Sequence, residues 1–179
     1  MRLFIAIDLP EVIKEALQSV REHTLPVKWS PVGNYHITMF FIGETGEEQA
    51  ESIRRRLHEV PPGSRLELQV AGLGAFPDTK RPRVIWAGIT PKDPITDLHS
   101  RIQPVLRQAG AGFDDKPFHP HVTLARTRKR NGQISSFLED RSEDYFGSFE
   151  ATHFHLYNSE LQQQGAIHHI LDSYPIAGD

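Results

Sequence analysis

Asn34-Tyr35-His36-Ile37-Thr38-Met39-Phe40-Phe41-Ile42-Gly43 is an apolar run interrupted by two polar side chains. Its aromatic and β-branched content, between turn-forming residues at either end, predicts a strand over Tyr35 to Ile42. Successive strand side chains point to opposite faces, so His36 and Thr38 share a face and Ile37 takes the other. The pattern returns 85 residues later in Pro120-His121-Val122-Thr123-Leu124-Ala125-Arg126. One His-x-Thr in a strand is commonplace and says little. Two copies, each preceded by a helical pattern, indicate a weak internal duplication that would set the motifs in equivalent places on two facing lobes.

Outward from the first copy, Leu3 to Ile7 reads as a buried strand, and Pro10 as a first-turn residue of a helix whose apolar face is Val12, Ile13, Leu17 and Val20. Thr45-x-x-Glu48 is a capping-box pattern opening a helix with Ala50, Ile53, Leu57 and Val60 on one face. Leu66-x-Leu68-x-Val70 alternates as a half-buried strand does, and Val84 to Ile89 is a further strand. Ile95, Leu98, Ile102, Val105 and Leu106 mark a helix ending at Gly110, with Pro104 expected to kink or split it. Beyond the His121 to Ala125 strand, Ser136-x-x-Glu139 reads as a helix cap. Phe149 to Leu156 and Ala166 to Leu171 read as a closing hairpin. The expectation is an α/β (α+β) chain with antiparallel pairings, folded as one unit over residues 1–179, since no linker or charge block divides it.

Composition narrows the chemistry. The 20 Lys and Arg against 23 Asp and Glu give a net charge of -3, so any phosphate binding must be local. The chain has no cysteine, which excludes disulfides, thiolate nucleophiles and Cys-based metal sites. The apolar run at the N-terminus is too short for a signal segment, and no stretch approaches the ~20 apolar residues of a membrane span. A cytoplasmic location, without membrane contact, is the expectation.

Two His-x-Thr strands facing across a cleft would hold two groups that titrate near neutrality and two short hydroxyl donors. One neutral imidazole can take a proton from attacking water while the other, protonated, supplies one to a departing oxygen. The hydroxyls can hold nonbridging phosphate oxygens in the transition state. This set of groups suffices for phosphodiester hydrolysis without a metal or other cofactor, and predicts a bell-shaped rate against pH with both limbs near ~6.5. The near symmetry of the motifs leaves open which histidine is acid and which is base.

At these residues the chain resembles the 2H phosphoesterase superfamily, and within it the RNA 2′,3′-cyclic phosphodiesterases formerly called 2′-5′ RNA ligases. The likeness runs nearly end to end: Leu3-Phe4-Ile5-Ala6-Ile7, Trp29 and Pro31, Phe41-Ile42-Gly43, Gly74-Ala75-Phe76-Pro77, Pro82 to Gly88 and the second motif with Arg126. It implies a bilobal fold of two antiparallel sheets with flanking helices and an active cleft between the lobes. It further implies His36 as proton donor and His121 as acceptor. The implied partner is RNA bearing a 2′,3′-cyclic phosphate, the product a 2′-phosphomonoester, and no obligate protein partner is evident. Met39 stands where Leu is more usual, and His168-His169 where a Tyr is often found.

Arg126 falls five residues after His121, which strict alternation turns away from the motif face; a bulge would redirect it toward the phosphate, where the family uses an arginine. With Thr38 and Thr123 it completes the expected substrate-binding set. Lys80, Arg81 and Arg83, and Arg128, Lys129 and Arg130, form two basic clusters that either steer an RNA backbone or merely solvate the surface. Trp86 is expected in the core, with Phe76 either packed there or stacked on a base. His153-x-His155 is half of a zinc site with no further ligand pattern, so no metal is expected. The alternatives are a related enzyme acting on small cyclic nucleotides or 2′-5′ linkages, including the reverse ligation, and a protein that holds RNA ends without hydrolysis.

Overall fold

In a computed structural model, described over residues 1–129 and 132–178, the elements follow the predicted α/β alternation. Strand β1 (Arg2–Asp8) leads into helix α1 (Glu11–Gln18), then β2 (Val27–Trp29) and β3 (His36–Glu44). Helix α2 (Glu47–Arg56) precedes β4 (Leu66–Phe76) and β5 (Val84–Thr90). After α3 (Lys92–Gln108) come β6 (His121–Thr127), α4 (Gly132–Asp140), β7 (Tyr145–Ala151), β8 (His153–Gln162) and β9 (Gly165–Pro175).

The strands lie in the order β7-β4-β5-β6-β3-β1-β8-β9, with β2 on β6, and every ladder is antiparallel. The two expected sheets are therefore the halves of one curled sheet, β3-β1-β8-β9 and β6-β5-β4-β7. A single bonded residue pair, Ile37 with Val122, joins them. The halves repeat one connection: β1-α1-β3 in the first and β5-α3-β6 in the second, each a strand, a helix and an antiparallel return. The duplication seen in the motifs thus extends to the topology.

The core lies on the face of the sheet that the helices cover. Alternation makes it: Leu3, Ile5 and Ile7 of β1, Ile37 of β3, and Ile85, Ala87 and Ile89 of β5 are at most 1% exposed. The helices add Ile13, Leu17, Ile53, Ile95, Leu98 and Ile102 to the same cluster. The opposite face of the first half carries a small separate cluster, Phe4, Ala6 and Tyr157. Among the described residues no helix is long and apolar enough to cross a membrane.

Several local expectations fail for identifiable reasons. Phe149 to Leu156 is not one strand: the chain breaks at Thr152, leaving β7 on β4 and carrying β8 to β1 in the other half. The apolar pattern continues through the break because both strands bury residues. Thr45 does not cap α2; its hydroxyl donates to the Gly43 carbonyl (3.0 Å), and Gly46 is the cap. Ser136 lies inside α4 rather than ahead of it. Pro104 neither splits α3 nor ends it, since Pro104 and Ser100 are both exposed and water can satisfy the carbonyl its missing N–H frees. Val12 points outward at 71% exposure.

Candidate active site

Ile37 and Val122, the middle residues of the two motifs, are both fully buried and pair across the junction of the halves. That pairing dictates the site. Extending an antiparallel register one residue each way sets His36 opposite Thr123 and Thr38 opposite His121, all four on the face away from the core. The two histidines are then diagonal neighbours, a relation that spans about 7–8 Å between backbones. The ladder carries no second bonded pair here, and a cleft of about 350 Å³ opens over the four side chains.

Two consecutive buried residues follow each Thr, Met39-Phe40 and Leu124-Ala125, where alternation would allow one. The ladders explain this. Thr38 pairs with Ala6 and Phe40 with Ile5, so Met39 is an extra residue. Thr123 pairs with Trp86 and Ala125 with Ile85, so Leu124 is its counterpart. Each motif thus ends in a β-bulge that returns the fifth residue after the histidine to the cleft face. In the second half that residue is Arg126, which lines the cleft as expected. In the first half it is Phe41, 49% exposed, with the Arg2 guanidinium 5.2 Å from its ring centre. One lobe offers a cation at this position, the other an aromatic face.

The histidines differ in their surroundings. His121 Nδ1 lies 2.6 Å from the His119 carbonyl, which can only accept, so Nδ1 carries the proton and Nε2 keeps its lone pair when the ring is neutral. Burial holds its pKa below the usual value, partly offset by that carbonyl. Its ring stands edge-on to Phe76 at 4.9 Å. His36 stacks on Phe4 at 5.0 Å, and Phe4 in turn stacks on Tyr157 at 4.8 Å. Asp8 pairs with His36 in the β1–β3 register, but the buried Lys14 ammonium sits 2.8 Å from the Asp8 carboxylate. Desolvation above all, then the neighbouring His168, push His36 down to about 4, against the pull of Asp8. Both rings are therefore neutral at pH 7.

Thr38 and Thr123 are half-buried, and among the described residues neither hydroxyl has a protein partner. Trp86 is not in the core. It lies half-buried on the cleft face beside Thr123, where it fits because Gly74 opposite has no side chain. Phe76 likewise leaves the core and, with Trp86 and His119, lines a side pocket of about 280 Å³ beyond His121. His153 and His155 stack at 6.4 Å, and among the described residues no group of three or more metal-ligating side chains is assembled. Arg130 lies outside the described residues. Sequence reasoning missed Phe41, yet its offset from His36 equals that of Arg126 from His121, a signal present in the aligned motifs.

Residues 9–163 match the 2′-5′ RNA ligase superfamily. The RNA 2′,3′-cyclic phosphodiesterase of Archaeoglobus fulgidus is 33% identical over 171 residues, covering 94% of this chain and 96% of that one. That of Escherichia coli is 31% identical over 165 residues, covering 89% and 88%. TT0787 of Thermus thermophilus superposes with a TM-score of 0.83 at 27% identity, covering both chains completely. Apo LigT of Escherichia coli shares the fold, with a TM-score of 0.79 at 24% identity. By fold, by sequence and by its paired motifs, the chain belongs to the 2′-5′ RNA ligase superfamily.

Proposed function

We propose that this protein hydrolyses the 2′,3′-cyclic phosphate end of RNA to a 2′-phosphomonoester without a metal, using His121 as general base and His36 as general acid. The observation that carries the reading is the square of side chains over the Ile37–Val122 pair, with Arg126 beside it in one cleft. His121 Nε2 takes a proton from water as the water oxygen attacks phosphorus. The bond from phosphorus to O3′ breaks, and His36 gives its proton to O3′. The Thr38 and Thr123 hydroxyls and the Arg126 guanidinium hold the nonbridging oxygens, where charge is spread in the transition state. Every group named comes from this one chain, so the reaction needs no second protein.

The asymmetry between the rings favours these roles. His121 is held in the tautomer that leaves Nε2 free to accept. Among the described residues His36 has no such fixed hydrogen-bond partner, and it is the ring that an arriving anion would charge. Relatives at about a third identity carry the name RNA 2′,3′-cyclic phosphodiesterase, which supports the substrate. The test is to incubate the protein with RNA ending in a 2′,3′-cyclic phosphate, with and without EDTA, and identify the terminal phosphate. A 2′-phosphate formed at the same rate in both is expected. Complete loss in EDTA, restored by Zn²⁺ or Mg²⁺, would overturn the metal-free mechanism.

A further inference from the structure

Arg126 belongs to two concavities. Besides the catalytic cleft it lines a groove of about 590 Å³ with Pro77, Arg81, Arg83, Arg128 and Lys129. Five cations meet there in a chain whose net charge is -3, so the cluster is no by-product of composition. All five are exposed, and among the described residues none forms an ion pair. Asp78, in the same loop, accepts the backbone N–H groups of Lys80 and Arg81 (2.8 Å each). A further cation, Lys28, sits directly opposite Arg126 in the β2–β6 register. Like charges directly opposite in a sheet destabilise it unless an anion lies between them.

The groove is also built to keep its shape. The Arg83 N–H donates to Phe76 (2.8 Å), the Thr127 N–H donates to Arg83 (3.0 Å), and the Thr127 hydroxyl donates to Pro82 (2.7 Å). Ser135 of α4 ties down the loop through Thr79 (2.6 Å). Two cationic segments distant in sequence are thereby stitched side by side.

We infer that this groove holds the backbone phosphates immediately 5′ of the cyclic end, so that the site is shaped for single-stranded RNA ends rather than for mononucleotides. The inference rests on the proposed function, which puts the terminal phosphate beside Arg126. A strand whose 3′-terminal phosphate lies in the cleft needs a path outward, and at Arg126, where cleft and groove join, that path is lined with cations. Exposed cations along an open groove meet the strand through its backbone charge, a contact that depends little on sequence.

The test compares kcat/KM for a 2′,3′-cyclic mononucleotide with that for an oligoribonucleotide of about eight residues having the same end. Neutralising about three phosphates gives a salt slope near -2, so the oligonucleotide should lose roughly 20-fold between 50 and 200 mM salt. The mononucleotide, with one phosphate, should lose only about 2- to 3-fold. The triple variant Arg81→Ala, Arg128→Ala, Lys129→Ala should reduce the oligonucleotide to the mononucleotide's level and salt slope. In parallel, anisotropy follows binding of the same RNA ending in a 2′-phosphate, which needs no turnover. Equal kcat/KM for both substrates, or an unchanged oligonucleotide in the variant, overturns the groove. So does a polyglutamate peptide that binds as tightly as the RNA. Salt-dependent RNA binding lost in the variant, with neither substrate hydrolysed, upholds the groove and overturns the hydrolytic reading instead.

Discussion

Filling the cleft with an anion should charge His36. Burial, which strips this ring of water, holds its pKa at about 4. A unit negative charge about 4 Å away, at an effective dielectric of about 20, is worth about 4 kcal/mol. At 1.36 kcal/mol per unit that is about 3 pKa units, from which Arg126 subtracts part; a rise of two to three units is expected. At pH 6 the protonated fraction would then climb from about 1% to between about half and nine-tenths. The assay is an NMR titration of the His36 Cε1 proton, identified by its loss in His36→Gln, with and without saturating sulfate, whose charge is constant over this range. The consequence for turnover is a split between two profiles. Between pH 5 and 7 the protonated fraction of His36 falls about 90-fold in the free enzyme, which kcat/KM reports, but only about 2- to 10-fold in the complex, which kcat reports. This displaces the symmetrical bell near 6.5 that unperturbed imidazoles predict. A free His36 pKa near 6.5, or one that sulfate leaves unmoved, would refute both the desolvated acid and its recharging by substrate.

His36→Ala and His121→Ala should each cost about 10² to 10⁴ in kcat, and the double variant less than the product of the two; folded single variants with near wild-type turnover would remove these residues from the chemistry. Arg126→Ala should raise KM and lower kcat together, since a contact to the nonbridging oxygens holds the bound phosphate and strengthens as charge builds in the transition state; kinetics matching wild type would make Arg126 ordinary surface charge. Acid should destabilise the fold through His36. Its pKa is depressed in the native state, so the unfolded chain binds the proton first, and stability present above pH 6.5 is lost as pH falls through about 4. The shift corresponds to about 3 kcal/mol, which urea denaturation at pH 7 and pH 4 would register as a difference smaller in His36→Phe than in wild type.

Much of this protein is legible locally. The strand through His36-Ile37-Thr38, its echo at His121-Val122-Thr123, and the helices before them follow from periodicity, because side-chain alternation and helical faces depend on near neighbours. The break at Thr152 was not legible, since both flanking strands bury apolar residues and nothing local says they belong to different halves of the sheet. Trp86 was misassigned for a related reason. A large aromatic in an alternating strand implies a core, but which face is the core depends on what covers it.

The sequence by itself determined the chemistry on offer: two imidazoles and two hydroxyls on predictable strand faces, an arginine and an aromatic at a common offset, and no thiol. Only the tertiary structure decided their use. The Ile37–Val122 pair brings the motifs together, and the bulges at Met39 and Leu124 re-aim Phe41 and Arg126. The His119 carbonyl leaves Nε2 of His121 free to accept a proton, and burial beside Phe4 and His168 holds the pKa of His36 well below the usual imidazole value. The physical reason is one of range. Alternation acts between adjacent residues, whereas pairing register, desolvation and a hydrogen-bond partner across a turn are set by segments the chain brings together only on folding.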